Sequence, residues 1–149
     1  MTAEPNPQLV LGSRLGYSFR DAALLEQALT HSSFANENPG TRDNGALAFL
    51  GDAVLGLVVG EHLWRAFPGE SEGVLTPKRA ELVSGANLSR WAVRIDLGSH
   101  LRLGHGEEQT GGRDKESVLA TALEAVLAVV YLEAGLEEAR RAVASLALW

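Results

Sequence analysis

The sequence predicts an all-α domain, and three observations carry that expectation. No run of alternating apolar and polar residues suggests a strand. Apolar residues recur instead with helical spacing, as Leu88, Trp91, Ala92 and Ile95 do. Between such runs, glycine, proline, asparagine and serine gather in SSFANENPGTRDNG and LGHGEEQTGGRDK, where they break helices.

Each element follows in order. Residues 1–6 read as a loose end, and residues 1–8 are set apart as a flexible N-terminus ahead of one domain over 9–149. A first helix starts after Asn6 with Pro7 at its first position, where a backbone N–H would go unused, and it ends near Gly16. The next helix covers about 20–31, with Ala23, Leu24, Gln27 and Ala28 at helical spacing and Ser18 or Asp21 as its cap. The first loop, 32–45, follows. A long helix spans about 46–66 and stops before Phe67-Pro68-Gly69. A short turn over 71–75 precedes Thr76-Pro77, an N-cap and first position opening a helix towards Leu82. Another helix covers about 86–95, and residues 103–115 form the glycine-rich loop. A strongly apolar helix from about 117 to 134 ends at Gly135, and a last helix over 136–148 closes the sequence.

Bulk composition narrows the function classes. The chain has 149 residues, 46% hydrophobic and 21% charged, which excludes a disordered chain and suits one core. It has no cysteine, so a disulfide framework, a thiolate metal site and a cysteine nucleophile are excluded. MTAEPNPQLV lacks the basic and apolar regions of a signal peptide. The apolar run 46–60 is too short to span a bilayer and carries Asp52 at its centre, so it reads as a buried helix, with no membrane partner expected. These features suit a cytoplasmic protein. A net charge of −6 argues against a general nucleic-acid binder, though not against a local basic strip or an acidic metal site.

Two carboxylates stand out. On the long helix, Gly45, Ala48 and Asp52 lie three and four residues apart and share a face. On the later apolar helix, Thr121 and Glu124 also share a face. Asp52 and Glu124 both interrupt apolar surroundings, and a buried carboxylate needs a cation, a metal or hydrogen-bond donors. Two such acids on two packed helices suit a hard divalent ion such as Mg²⁺. Pairing of Asp52 with an arginine, and exposure of Glu124, fit the same pattern. His62, His100 and His105 show no site pattern and read as surface or packing residues.

Five segments resemble the catalytic domain of the ribonuclease III family: ALTHSSFANEN (28–38), NGALAFLGDAVLG (44–56), EGVLTPKRAELV (72–83), LRLGHGEEQTGGRDKES (101–117) and VLATALEAVLAVVYLEAG (118–135). They occur in order from about Leu9 onwards. The resemblance implies an all-α endonuclease fold, a dimeric helical bundle whose valley binds double-stranded RNA, with Mg²⁺, or Mn²⁺ in its place, hydrolysing the strand. The family signature Asn-Glu-Arg-Leu-Glu-Phe-Leu-Gly-Asp reads Asn-Gly-Ala-Leu-Ala-Phe-Leu-Gly-Asp over 44–52, and the acidic pair Asp-x-x-Glu reads Thr-Ala-Leu-Glu over 121–124. By resemblance the four metal-site positions are therefore Ala48, Asp52, Thr121 and Glu124, and only Asp52 and Glu124 remain acidic. Glu72 matches the further acid in the turn after the long helix.

The same resemblance assigns Phe49 to the dimer interface, inserted into the partner subunit. It assigns His31, Ser33, Asn36 and Glu72, together with Gly111, Gly112, Arg113 and Lys115, to the RNA-facing surface. Backbone N–H groups of the glycine-rich loop, Lys115 and the following helix N-terminus would hold a phosphate. Ser32 stands where the family usually carries arginine. The family's C-terminal double-stranded RNA-binding domain is not expected after Trp149. Three functions follow as expectations: a homodimeric RNA-binding domain with cleavage lost or weakened, a weak or specialised endoribonuclease acting in rRNA processing, or a heterodimer partner of an active relative or ribosomal component.

Overall fold

The computed structural model describes residues 6–149, so most of the segment expected to be loose lies outside it. Helix α1 (Pro7–Leu15) begins at its proline, with the Asn6 side chain accepting from the Gln8 N–H at 3.0 Å, and ends on left-handed Gly16. Helix α2 (Ala22–Ala28) is shorter than its periodicity predicts. Asp21, not Ser18, caps it by accepting from the Leu24 N–H.

Helix α3 (Ser32–Glu37) occupies a stretch expected to be loop. His31 caps it, with Nδ1 accepting from the Ser33 N–H at 3.1 Å, a capping role that propensity rules assign to Ser, Thr, Asp or Asn. Helix α4 (Gly45–Ala66) is the long helix. Helix α5 (Glu72–Leu82) starts one turn earlier than Thr76-Pro77 suggests, because Ser71 takes the N-cap position, and Pro77 lies inside the helix. Helix α6 (Gly85–Arg94) is capped by Ser84, helix α7 (His105–Gln109) and a 3₁₀ turn over 112–114 fill the glycine-rich loop, and helices α8 (Glu116–Ala134) and α9 (Leu136–Ala147) complete the domain. Among the described residues there is no strand, only a single parallel bridge between Thr30 and Arg102.

Helix α8 is the axis of the fold. Its residues Val118, Leu119, Ala120, Ala122, Leu123 and 125–130 are all buried, so it is apolar around its circumference, the mark of a central helix. Helices α4, α6, α9 and α2 pack around it. Each fully buried leucine, such as Leu55 or Leu123, contributes roughly 1.5–3 kcal/mol, whereas exposed ion pairs such as Arg141–Glu138 contribute about 0–1 kcal/mol. Apolar burial around α8 therefore decides the fold.

Helix α4 corrects one expectation. It is not buried throughout: Leu47, Ala48, Gly51, Val54, Leu55, Val58, Val59 and Leu63 face the core, while Phe49, Leu57 and Trp64 are exposed. At 22 residues and mean hydropathy 1.6, α4 is long and apolar enough to cross a bilayer, as is α8 at 1.7, because the helix extends past the run read from sequence. In this fold the two helices bury their apolar faces against each other.

Candidate active site and nucleic-acid interface

The site forms where α4 crosses α8. Gly51 makes that crossing possible: a Cβ on it would lie 1.8 Å from the Glu124 carbonyl oxygen and 2.5 Å from its carbon. Only a bare helix surface lets the two backbones approach so closely. Asp52 follows Gly51 directly, so the contact that joins the helices also sets Asp52 beside Glu124.

The two carboxyl groups lie within hydrogen-bonding reach of each other. Glu124 is half-buried, and its pKa is pushed up to about 7, first by burial, then by the Asp52 charge, and then by a hydrogen bond with Asp52. Asp52 itself is exposed, which corrects the expectation that it is a buried carboxylate. The two remaining positions of the acidic quartet offer little. Ala48 is buried and presents a methyl group, and Thr121 presents a neutral hydroxyl. Among the described residues no three carboxylate, histidine or cysteine side chains gather at a possible metal site, so Glu72 does not join the pair. Glu72 instead opens α5 and lines a cavity of about 280 Å³ with Gly60, Leu63, Trp64, Leu75, Thr76 and Arg79.

This donor set fits one largely hydrated Mg²⁺ held by Asp52 and Glu124, since Mg²⁺ is commonly bound through one or two carboxylates and retains water. It does not fit a site of four acids.

Two of the segments assigned to RNA, α3 and the glycine-rich loop, meet, while Glu72 lies apart from them in the cavity beside α5. The Ser33 hydroxyl contacts His31 Nδ1 at 2.8 Å and accepts from the Gly104 N–H at 2.9 Å, while Glu37 accepts from the His105 N–H. Helix α3 is thereby fastened to the glycine-rich loop. Asn36 is exposed on α3. Within the loop, Gly111 adopts φ +79°, and a Cβ on Gly112 would come within 2.5 Å of Glu107 Cγ. Gly111 therefore serves the left-handed turn of the backbone, and Gly112 the close packing of the loop on Glu107.

The loop's cations are engaged internally. Arg113 donates Nη1 to the carbonyls of Gly98 at 3.0 Å and Leu101 at 2.7 Å, and Nε to Glu108 at 2.7 Å. Lys115 donates to Glu107 at 2.9 Å. These hydrogen bonds hold the Glu107 and Glu108 carboxyls below the usual carboxylate range. The amides of Gly111, Asp114 and Lys115 also donate within the loop, to Glu108, Gly111 and Gly112. The phosphate cradle expected there therefore has few donors to spare. Only the folded structure shows these partners, although the acids at 107 and 108 were visible in the sequence.

Phe49 is 82% exposed, so it is not a core residue. With Leu57 and Trp64 it forms an apolar stripe along α4, and the adjoining α5 has no buried residue.

Comparison with known proteins agrees with this geometry. A family model described as Ribonuclease-III-like matches residues 21–148. Ribonuclease 3 of Heliobacterium modesticaldum is 49% identical over 148 residues, covering 98% of this chain and 63% of that protein. Ribonuclease 3 of Caldanaerobacter subterraneus subsp. tengcongensis is 49% identical over 137 residues, covering 91% of this chain and 60% of that protein. The chain thus spans less than two thirds of the length of these relatives. Among solved structures, the nuclease domain of ribonuclease III from Campylobacter jejuni, described as flexible in a region involved in dimer formation, superposes with a TM-score of 0.87 at 42% identity. That match covers 92% of this chain and 93% of that one. From its helical architecture, its identity to these relatives and the length matched, the chain belongs to the ribonuclease III-like family.

Proposed function

We propose that the chain is a dimeric ribonuclease III-like domain that binds structured or double-stranded RNA, with Mg²⁺-dependent cleavage lost or strongly weakened. One observation carries this reading: the Asp52–Glu124 pair persists at the helix crossing, while Ala48 and Thr121 leave it without further acids. When bound, Mg²⁺ supplies a water of lowered pKa and neutralises charge building on the phosphate. Asp52 and Glu124 are the residues that would hold it. Two carboxylates, one half-protonated near neutral pH, give low affinity for that ion.

The apolar stripe of Phe49, Leu57 and Trp64 beside the unburied α5 supports dimerisation, since a symmetric pairing would cover it. The contact between Asp52 and Glu124 favours a second reading, a weak endoribonuclease working at high metal concentration.

A labelled RNA duplex incubated with the purified chain and rising Mg²⁺ or Mn²⁺ separates these readings. A shifted band on a native gel with intact RNA is the expected result. Metal-dependent cleavage that disappears in Asp52→Asn would establish the second reading instead. Absence of both binding and cleavage would point to a heterodimer partner that does not contact RNA.

A further inference from the structure

A separate recess reaches Thr121, one helical turn before Glu124 on α8. It has a volume of about 260 Å³ and is lined by His31, Ser32, Asp43, Asn44, Gly45, Ser117, Val118 and Thr121. It lies between the N-terminal ends of α4 and α8, and two of its lining positions, Gly45 and Thr121, are places where the sequence departs from an acidic pattern. A side chain at position 45 would press on the recess, because a Cβ there comes within 3.2 Å of Asp43 Oδ1. The glycine lets Asp43 fold over the end of α4 and accept from the Gly45 N–H at 2.9 Å.

The recess has a definite chemistry. Its acceptors are the Asp43 carboxylate and the Asn44 amide oxygen. Asn44 is buried, donates Nδ2 to the Ala28 carbonyl, and makes no helix cap with its side chain, which leaves Oδ1 for the recess. Hydroxyls of Ser32, Ser117 and Thr121 and the His31 imidazole supply donors, and Val118 supplies an apolar wall. A phosphate is disfavoured by the Asp43 charge, and the single carboxylate already has one oxygen engaged by the Gly45 N–H, which leaves a divalent cation a weaker site than the Asp52–Glu124 pair. A flat, neutral group bearing both donors and acceptors fits.

We propose that this recess takes an unpaired nucleobase of the bound RNA, with guanine preferred; the inference rests on the RNA-binding reading above. A base in a duplex is stacked and out of reach, whereas one in a bulge or loop can be splayed into a protein pocket. Guanine offers two adjacent donors, N1–H and N2–H, to Asp43 and Asn44, with O6 as an acceptor for a neighbouring hydroxyl. No other standard base presents that edge.

The test is fluorescence anisotropy on stem–loop RNAs with a fully paired stem, a single bulged guanosine or a single bulged uridine. The expected result is that the bulged guanosine RNA binds about tenfold more tightly than either other RNA. Asp43→Asn should remove that preference, read as the ratio of the bulged guanosine RNA's affinity to the paired RNA's, and asparagine still accepts from the Gly45 N–H, so the start of α4 keeps its cap. Ser117→Met, which fills the recess, should do the same. Equal affinity for all three RNAs would overturn the proposal and leave RNA binding standing. If no RNA binds, the earlier reading fails. The recess is then judged by nuclear magnetic resonance of the chain with free guanosine or uridine. Amide shifts at Asn44, Ser117 and Thr121 with guanosine alone support it, and their absence refutes it.

Discussion

At the residue scale, Glu124 makes the acid pair a pH-dependent element of stability. Its pKa is about 7 in the fold, above the unfolded value, so between the two the folded state holds the extra proton. Stability from this group is present below the unfolded pKa and is lost as pH rises towards 7. We expect the melting temperature to fall between pH 5 and pH 8, and this fall to flatten in Glu124→Gln, as followed by circular dichroism. Restoring acids with Ala48→Glu and Thr121→Asp together should raise Mg²⁺ affinity at least about tenfold, read by titration calorimetry, because each added carboxylate replaces water in the ion's shell. Arg113 makes the complementary case. Its guanidinium holds the carbonyls of Gly98 and Leu101, so Arg113→Ala should cost about 1–3 kcal/mol in urea unfolding, whereas Lys115→Ala, which removes an exposed ion pair, should cost under about 1 kcal/mol. Equal effects would show that Arg113 is not an anchor.

At the element scale, the closest contact is the crossing of α4 and α8. Gly51→Ala places a methyl group on the Glu124 carbonyl, and backbone cannot move aside as a side chain does. The expected loss is about 3 kcal/mol or more, measured by denaturant unfolding. The same scale shows what the sequence carries. Helices α4 and α8 were legible because their apolar runs are long and continuous, and α9 because apolar residues recur at helical spacing after the stop at Gly135. Helix α3 was not, because its cap is a histidine and its helical stretch is held by contacts with the distant residues Gly104 and His105. The start of α5 is not legible because Thr76-Pro77 imitates a helix start, while Ser71 holds the real one. Of the site, Asp52 and Glu124 could be found by position, but their contact depends on Gly51, whose role appears only in the packing. The recess at Thr121 is equally invisible in sequence, since its walls come from three separate segments.

At the scale of the whole molecule, an acidic chain whose glycine-rich-loop cations are already paired must draw its RNA contacts from cations elsewhere. RNA affinity should therefore fall steeply with added salt only if other cations make the contacts, and the slope of that dependence counts them. The exposed stripe on α4 makes assembly the stronger expectation. Phe49→Glu or Trp64→Glu should convert a dimer to a monomer in sedimentation equilibrium without unfolding it, as both side chains already face outward. The melting temperature of the unaltered chain should rise with protein concentration, as mass action requires of a folded dimer.

Helix α5 adds a consequence in the time domain. It has no fully buried residue, with Leu75 and Leu82 only partly buried against the core, and Pro77 removes one of its internal hydrogen bonds, so it loses less packing on opening than the core helices do. In an unpaired copy it is the natural first place for a protease to cut. In a pair that covers α4 and α5, the same peptide bonds are shielded. Digestion near α5 would then be fast in dilute solution and slow in concentrated solution, and the lifetime of the protein would report whether each copy had found its mate.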